Sequence, residues 1–166
     1  MSYLSDRQDK IGVAVVGTGF GQIIHIPGFQ HHPRTEVVAA YDRDLGKAKA
    51  IADTHHIPYA SNQLEKIVSL PEVQGVSIST PPFLHYEMAK LAIAAGKHLL
   101  LEKPMNLSAD QTRELYHLAA ARGVVATADF EFRFVPAWQL LAEYLEQGYV
   151  GKKRLIKIDW LVASRA

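Results

Sequence analysis

Hydrophobic and polar positions follow two patterns along this chain. Short apolar runs, typical of buried strands in a parallel sheet, predict six strands at Ile11–Val16, Glu36–Tyr41, Ile57–Ala60, Gly75–Ser79, His98–Leu101 and Val124–Ala128. Apolar residues three or four positions apart predict helices between them, at Phe20–His31 with a bend at Pro27, Leu45–His55, Asn62–Ser69, Leu84–Ala95 and Ser108–Arg122, the last ended by Gly123. This alternation predicts an α/β fold with a doubly wound parallel sheet.

The last part of the chain departs from this alternation. Pro136–Gln147 predicts an amphipathic helix, and Lys153–Val162 alternates apolar and polar residues as a half-buried antiparallel strand does. We therefore predict one α/β domain over residues 1–130 and the beginning of an incomplete α+β domain, one helix and one strand, over residues 131–166. Because a lone strand with two free edges is unstable, we expect residues 150–164 to join copies of the chain in a homo-oligomer.

The composition is that of a globular protein. Of 166 residues, 48% are hydrophobic and 21% are charged, and the net charge of +1 gives no indication of nucleic acid or of an acidic membrane as a partner. The absence of cysteine excludes disulfides, thiolate catalysis and Cys-ligated metals, and favours a cytoplasmic location. Residues 1–10 are polar and no apolar run approaches ~18 residues, so neither a signal peptide nor a membrane span is predicted.

The first predicted strand ends in a glycine-rich turn. Its residues are Gly17, Thr18, Gly19, Phe20 and Gly21. Glycines in such a turn let the backbone approach a pyrophosphate, and the following helix directs free N–H groups and its positive dipole end at the anion. The usual G-x-G-x-x-G fingerprint is matched imperfectly, because Gln22 occupies the third slot and Gly21 lies one residue early. Dinucleotide binding is the leading hypothesis, and a turn without a ligand is the alternative.

Asp42 and Arg43 stand at the end of the second predicted strand, near the place of the acid that binds the adenosine ribose. A carboxylate there accepts hydrogen bonds from the ribose hydroxyls and repels a 2′-phosphate, which favours NAD. Arg43 keeps NADP possible, because a guanidinium can pair with that phosphate. The alternative is a solvated loop or a helix cap.

Polar groups also follow the fourth and fifth predicted strands. Ser79, Thr80 and Pro81 lie where the nicotinamide half of a cofactor can pass, and His85 is either a proton-transfer group or, more commonly, a cap or packing residue. After the fifth strand, Lys103 can hydrogen-bond a substrate oxygen and favour negative charge on it, or simply pair with Glu102. The turn is tight, and we predict a cis peptide before Pro104.

Other chemistry finds no support in the spacing of the residues. No H-x-x-x-H or H-E-x-x-H pair occurs, so no metal site is predicted. No G-x-S-x-G elbow occurs either, so serine hydrolase chemistry is not predicted.

Taken together, the motifs resemble one family. Gly-Thr-Gly-Phe-Gly at 17–21, Asp-Arg at 42–43, Ser-Thr-Pro-Pro-x-x-His at 79–85, Glu-Lys-Pro at 102–104 and Arg-Phe at 133–134 with Pro136 occur in order, as in the N-terminal half of the glucose–fructose oxidoreductase/inositol dehydrogenase (Gfo/Idh/MocA) family. The resemblance implies a Rossmann domain followed by a domain built on a large open antiparallel sheet. It also implies reversible hydride transfer between NAD(P) and a small sugar-like substrate: a sugar, cyclitol or related carbonyl compound.

The resemblance assigns roles to residues by their motif positions. Gly17 and Gly19 would hold the pyrophosphate, Asp42 and Arg43 the adenosine end, Thr80 and His85 the nicotinamide side, and Glu102 and Lys103 the nicotinamide and substrate, with Lys103 catalytic. The family's later catalytic Asp-x-x-x-His segment has no counterpart, because no histidine follows His117. We therefore predict an oxidoreductase represented mainly by its cofactor-binding half. The alternative is a non-catalytic dinucleotide-binding module, a sensor or a remnant.

Overall fold

A computed structural model describes residues 10–159 and 161. Its strands are β1 (Ile11–Val16), β2 (Thr35–Tyr41), β3 (Tyr59–Ser61), β4 (Gly75–Ile78), β5 (His98–Glu102) and β6 (Ala126–Asp129). Its α-helices are α1 (Ile26–His31), α2 (Leu45–His55), α3 (Leu64–Val68), α4 (Pro82–Ala94), α5 (Ala109–Arg122) and α6 (Pro136–Glu146). A π-helical turn at Gly21–His25 precedes α1, and a 3-10 turn at Glu131–Phe134 precedes α6.

The strands form one parallel sheet in the order β3-β2-β1-β4-β5-β6. The predicted doubly wound sheet of Rossmann type is thus confirmed, and the direction of winding reverses between β1 and β4. The register places Val16 beside both Tyr41 and Ile78, and Ile78 beside Leu101. The residues that follow these strands therefore lie along one carboxyl edge, where doubly wound sheets bind ligands.

Two apolar layers cover the two faces of the sheet. On one face, Val16, Val76 and Leu101 belong to a buried cluster that includes residues of α3, α4 and α5. On the other face, Val15 and Ala40 pack with residues of α1 and α2. Consecutive β1 residues point to opposite faces, so each layer takes alternate residues of the same strand.

Helix ends follow their capping residues closely. Asp44 accepts the backbone N–H groups of Gly46 and Lys47 and begins α2, whose predicted bounds are confirmed. Ser108 accepts the N–H of Asp110 and begins α5, which ends at Gly123 in the left-handed conformation, as predicted.

The helix predicted over Phe20–His31 divides into two parts. The N–H of Ile26 donates to Gly21 O, which closes a π-helical turn, and α1 then begins at Ile26. Pro27 stands in the first turn of α1, where a missing N–H costs nothing. The sequence placed a break near Pro27 correctly, while the π-helical turn before it was not foreseen.

The strand predicted over Lys153–Val162 is not observed. Residues 153–159 and 161 have no strand conformation, and Leu155, Ile156 and Ile158 are exposed. Trp160 and Val162 lie outside the described residues. An extended segment becomes a strand only when a neighbouring edge pairs with its backbone, and residues 153–159 show no such pairing. The apolar alternation alone was therefore insufficient evidence.

The chain divides into two compact units, Met1–Asp129 and Phe130–Ala166. The division falls one residue from the predicted boundary, and the identity of the second unit as the start of another domain stays a prediction. Of the helices that the structure describes, none combines the length and the apolar character needed to cross a membrane.

Candidate dinucleotide-binding site

The glycine turn lies unusually close to the segment that leaves β4. Gly17 has a φ of +105°, and a Cβ built on it would lie 2.9 Å from the carbonyl carbon and oxygen of Ser79. Its N–H donates to Tyr41 O at 3.0 Å. Both the backbone conformation and the close approach therefore require glycine at this position.

Gly21 and Gly19 serve two different functions of the fingerprint, packing of the turn on the sheet and approach of a phosphate to the backbone. A Cβ on Gly21 would lie 2.5 Å from Ser79 Oγ and 3.0 Å from Val15 Cγ1, so Gly21 allows the turn to pack on β1 and β4. A Cβ on Gly19 would have no atom within 4 Å. Gly21 thus takes the packing role of the usual third glycine one residue early, in a π-helical turn. The open space at Gly19 fits the approach of a phosphate to the backbone.

Asp42 is held firmly at the end of β2. Its Oδ2 accepts the hydroxyl of Thr18, and its Oδ1 accepts the N–H of Asp44 at 2.9 Å. The Thr18 contact joins the carboxylate directly to the glycine turn. Arg43 is exposed beside it. These two side chains have the placement expected of groups that receive the adenosine end of a dinucleotide.

The pKa of Tyr41, the residue before Asp42, is changed by burial and by nearby carboxylates. Burial raises the pKa of Tyr41, and the negative charges of Glu65 and Asp42 raise it further. This shift favours the neutral form of the phenol.

His85 is fully buried, and both of its ring nitrogens lie next to backbone oxygens. Its Nε2 lies 2.6 Å from Thr80 O, and its Nδ1 lies 3.1 Å from Pro104 O and 3.2 Å from Met105 O. A ring enclosed in this way has no surface for a substrate or nicotinamide. Of the two roles considered for His85, this geometry favours the packing role, in which the ring ties the β4 exit to the Glu-Lys-Pro turn.

Ser79, Thr80 and Pro81 form the β4 exit. The Ser79 hydroxyl lies 3.3 Å from Val16 O and from Gly17 O, so it braces the glycine turn rather than pointing toward open solvent. Thr80 is partly buried, and Pro81 is exposed and precedes α4. Thr80 and Pro81 keep their predicted position along the carboxyl edge.

Glu102 and Lys103 end β5 at the same edge. The Glu102 side chain is buried, and its Oε2 accepts the backbone N–H of Lys103 at 3.0 Å. Lys103 itself is exposed. The predicted cis peptide between Lys103 and Pro104 is confirmed. A cationic side chain thus projects from the ligand edge next to a fixed carboxylate.

His25 is a site residue that the motifs did not reveal. It lies in the π-helical turn and is 4% exposed. Its Nε2 is 3.2 Å from Glu102 Oε1 and 3.9 Å from Asp129 Oδ2, and its Nδ1 is 2.6 Å from Ser77 Oγ. One indication was available, since His25 follows Gly21 by four residues and so shares the helix face that packs on the sheet.

The buried side chains around His25 concern two predictions made from the spacing of the residues, the absence of a metal site and the absence of serine hydrolase chemistry. One ligand atom each from His25, Glu102 and Asp129 lie within 4.8 Å of one another, from three separate elements that no sequence spacing could connect. The expectation that the chain binds no metal therefore stays a prediction. Ser77 is fully buried, so its contact with His25 offers no nucleophile to a substrate.

The fold and the glycine turn define a dinucleotide-binding Rossmann domain, and comparison with known proteins identifies its family. The model of the Gfo/Idh/MocA oxidoreductase family, described as NAD-binding Rossmann fold, matches residues 11–130. The chain belongs to this family. An uncharacterized oxidoreductase of Synechocystis is 58% identical over 160 residues, which are 96% of this chain and 43% of the relative.

Other relatives are named for an activity or were solved with a bound cofactor. The trans-1,2-dihydrobenzene-1,2-diol dehydrogenase of Macaca fascicularis is 32% identical, over 93% of this chain and 45% of that protein. GenD2 of gentamicin A biosynthesis, solved with NAD, matches with a TM-score of 0.81 and 29% identity over 90% of this chain and 42% of its own. KijD10, a 3-ketoreductase of Actinomadura kijaniata solved with NADP, matches with a TM-score of 0.78 and 28% identity. The match covers 86% of this chain and 46% of KijD10. The chain spans less than half of each of these relatives.

We predict that Gly19→Ala mainly weakens cofactor binding, whereas Gly21→Ala mainly lowers stability. A methyl group at Gly19 meets only open space, so the free energy of unfolding should stay within about 0.5–1 kcal/mol of that of the unsubstituted chain, while NADH binding weakens by about tenfold or more. At Gly21 the methyl group collides with Ser79 and Val15, which should lower the free energy of unfolding by about 1–3 kcal/mol. Urea unfolding and NADH fluorescence titration measure the two effects. Full NADH affinity in Gly19→Ala would contradict the assignment.

Proposed function

We propose that the chain supplies the NAD(P)-binding half of an oxidoreductase. The reaction is the transfer of a hydride between nicotinamide and a hydroxy or carbonyl group of a sugar, cyclitol or related compound. The observation that carries the proposal is the open, glycine-lined space at Gly19, on the edge that also holds Asp42 and Lys103. The names of the relatives, a dihydrodiol dehydrogenase and a 3-ketoreductase, support oxidation and reduction at carbon–oxygen bonds.

Each part of the edge has a separate task in this proposal. Gly17 allows the tight conformation of the turn, and Gly19 lets a pyrophosphate approach its backbone. Asp42 accepts hydrogen bonds from the adenosine ribose. Lys103 donates a hydrogen bond to the substrate oxygen and stabilises the negative charge that develops there, and Glu102 keeps the turn around Lys103 in place. Bound nicotinamide supplies or accepts the hydride.

The second candidate is a dinucleotide-binding module without catalysis. It draws on the same glycine turn and on Asp42, which account for cofactor binding without any catalytic group. The two candidates share cofactor binding and differ in turnover. Reduction of NAD by the 166-residue chain with any polyol would exclude the module and would show that these residues suffice for catalysis.

We expect NADH to bind this chain with a dissociation constant in the range of about 1 μM to 1 mM that is common for enzyme ligands. Titration of NADH fluorescence should give a saturable change, and AMP should reverse it by competing for the adenosine end. The absence of any change at about 1 mM NADH would contradict both candidates. Denatured chain at the same concentration serves as the control for non-specific quenching.

We further propose NAD as the preferred cofactor, and Asp42→Asn tests this. The substitution keeps the shape of the side chain but removes the charge that repels a 2′-phosphate. The ratio of the NADPH to the NADH dissociation constant should therefore fall by about tenfold. This change corresponds to part of the repulsion between two like charges at a surface site. Asp44→Asn is the matched control, since Asp44 caps α2 with a similar charge nearby. An unchanged ratio in Asp42→Asn would remove Asp42 from cofactor selection.

We also propose that residues 150–164 join copies of the chain in a homo-oligomer, and that the protein acts in the cytoplasm. Ile156 and Ile158 are 63% and 62% exposed and Leu155 is 86% exposed, an apolar surface that favours association. Light scattering should show assembly that increases with concentration and that is abolished by Ile156→Lys with Ile158→Lys. Lys153→Gln is the control at a polar position. A monomer at all concentrations would contradict this assembly.

A further inference from the structure

A cluster of three buried polar side chains connects three secondary-structure elements beneath the carboxyl edge. His25 comes from the π-helical turn, Ser77 from β4 and Glu102 from β5. Ser77 is fully buried, His25 is 4% exposed and Glu102 is 8% exposed. Buried polar groups are retained at little cost only when their hydrogen bonds are satisfied, so these contacts constrain one another strongly.

The chemistry of the groups determines the direction of the hydrogen bonds. A carboxylate only accepts, so the His25 Nε2–H donates to Glu102 Oε1 across the 3.2 Å contact. In neutral His25, Nδ1 then accepts the Ser77 hydroxyl at 2.6 Å. The second oxygen of Glu102 accepts the backbone N–H of Lys103 at 3.0 Å. The hydrogen bonds thus run without interruption from β4 to the peptide group that carries the Lys103 side chain.

His25 connects the glycine turn to Glu102. His25 follows Gly21 by four residues in the same π-helical turn, and Gly21 packs against Ser79 at the point where the glycine turn meets the β4 exit. A movement of the glycine turn would therefore displace the imidazole that holds Glu102. The two ends of the cofactor edge, the glycine turn and the Glu-Lys-Pro turn, are connected through one side chain.

We propose that His25 is a positioning residue for the nicotinamide side of the site. It fixes the Glu102 carboxylate, and through it the Lys103 backbone, relative to the glycine turn. This inference rests on the proposed function, in which Glu102 and Lys103 face nicotinamide and substrate. His25 is buried and touches no ligand in this role; it acts only through Glu102.

The test compares two ligands in variants of the 166-residue chain. His25→Gln should weaken NADH binding by about tenfold, as expected for the loss of a hydrogen bond to a charged group, and should leave ADP-ribose binding within about twofold. ADP-ribose lacks nicotinamide and so reports on the glycine turn and Asp42 alone. Ser77→Ala removes only the second partner of His25 and should weaken NADH binding by a smaller factor, about threefold.

A second readout measures the positioning without any ligand. The amide proton of Lys103 should shift and exchange faster with solvent in His25→Gln, because its acceptor on Glu102 has lost its partner, and to a smaller extent in Ser77→Ala, because His25 itself is held less firmly. His98→Gln is the matched control. His98 lies at the other end of β5 and accepts the N–H of Val125, so its loss disturbs the same strand away from the site. The Lys103 amide and the ratio of the two affinities should be unchanged in this control.

The outcomes distinguish the inference from the function on which it rests. An unchanged Lys103 amide together with an unchanged affinity ratio in Ser77→Ala and His25→Gln would overturn the role of His25. If His25→Gln does not fold, Ser77→Ala decides, since it changes the volume by one oxygen atom. If the unsubstituted chain binds neither ADP-ribose nor NADH, the proposed function fails, while the Lys103 amide still reports whether His25 holds Glu102.

Discussion

The close approach of the glycine turn to the β4 exit is the constraint on which the rest of the site depends. Gly17 and Gly21 both lie against Ser79, and an added Cβ would come within 2.9 Å of its backbone at Gly17 and within 2.5 Å of its Oγ at Gly21. This approach occurs where the winding of the sheet reverses, between β1 and β4. It keeps the turn against the sheet, so that Gly19 projects toward open space and Thr18 reaches Asp42. A dinucleotide site at this edge follows from that packing.

The carboxyl edge differs chemically from the body of the sheet below it. The strands contribute apolar side chains to both layers of the core, while the residues at and after their ends supply histidine, serine and carboxylate groups. His85 and His25 are both buried here, and both connect separate segments. His85 joins the β4 exit to the Glu-Lys-Pro turn, and His25 joins the glycine turn to Glu102. The exposed Lys103 is thus supported by a fixed polar frame.

The fold was predictable where a local pattern determines the structure. The α2 bounds and the Ser108 and Gly123 caps depend on neighbouring residues, and they were predicted correctly. The third strand was predicted two residues early, because Ile57 is used to close α2: its N–H donates to Ala52 O and its side chain joins the core. Its apolar character therefore reflects a helix end rather than a strand.

The errors arose where tertiary contacts decide. The role of His25 depends on partners from β4 and β5 that no short-range pattern connects. The motif left both proton transfer and packing open for His85, and the enclosure of its ring by three carbonyl oxygens depends on a distant turn. Residues 153–162 alternate as a strand does, but pairing with a neighbouring edge, which alternation cannot supply, determines whether a strand forms.

The central claim is that the ends of β1, β2 and β5 form a single dinucleotide groove. Amide chemical shifts of the isotope-labelled chain, recorded during addition of NADH, test it most directly. The account predicts saturable shifts at Gly17–Gly21, at Asp42 and at Lys103 with one common dissociation constant. Shifts confined to one of these segments, or located away from the carboxyl edge, would contradict the claim.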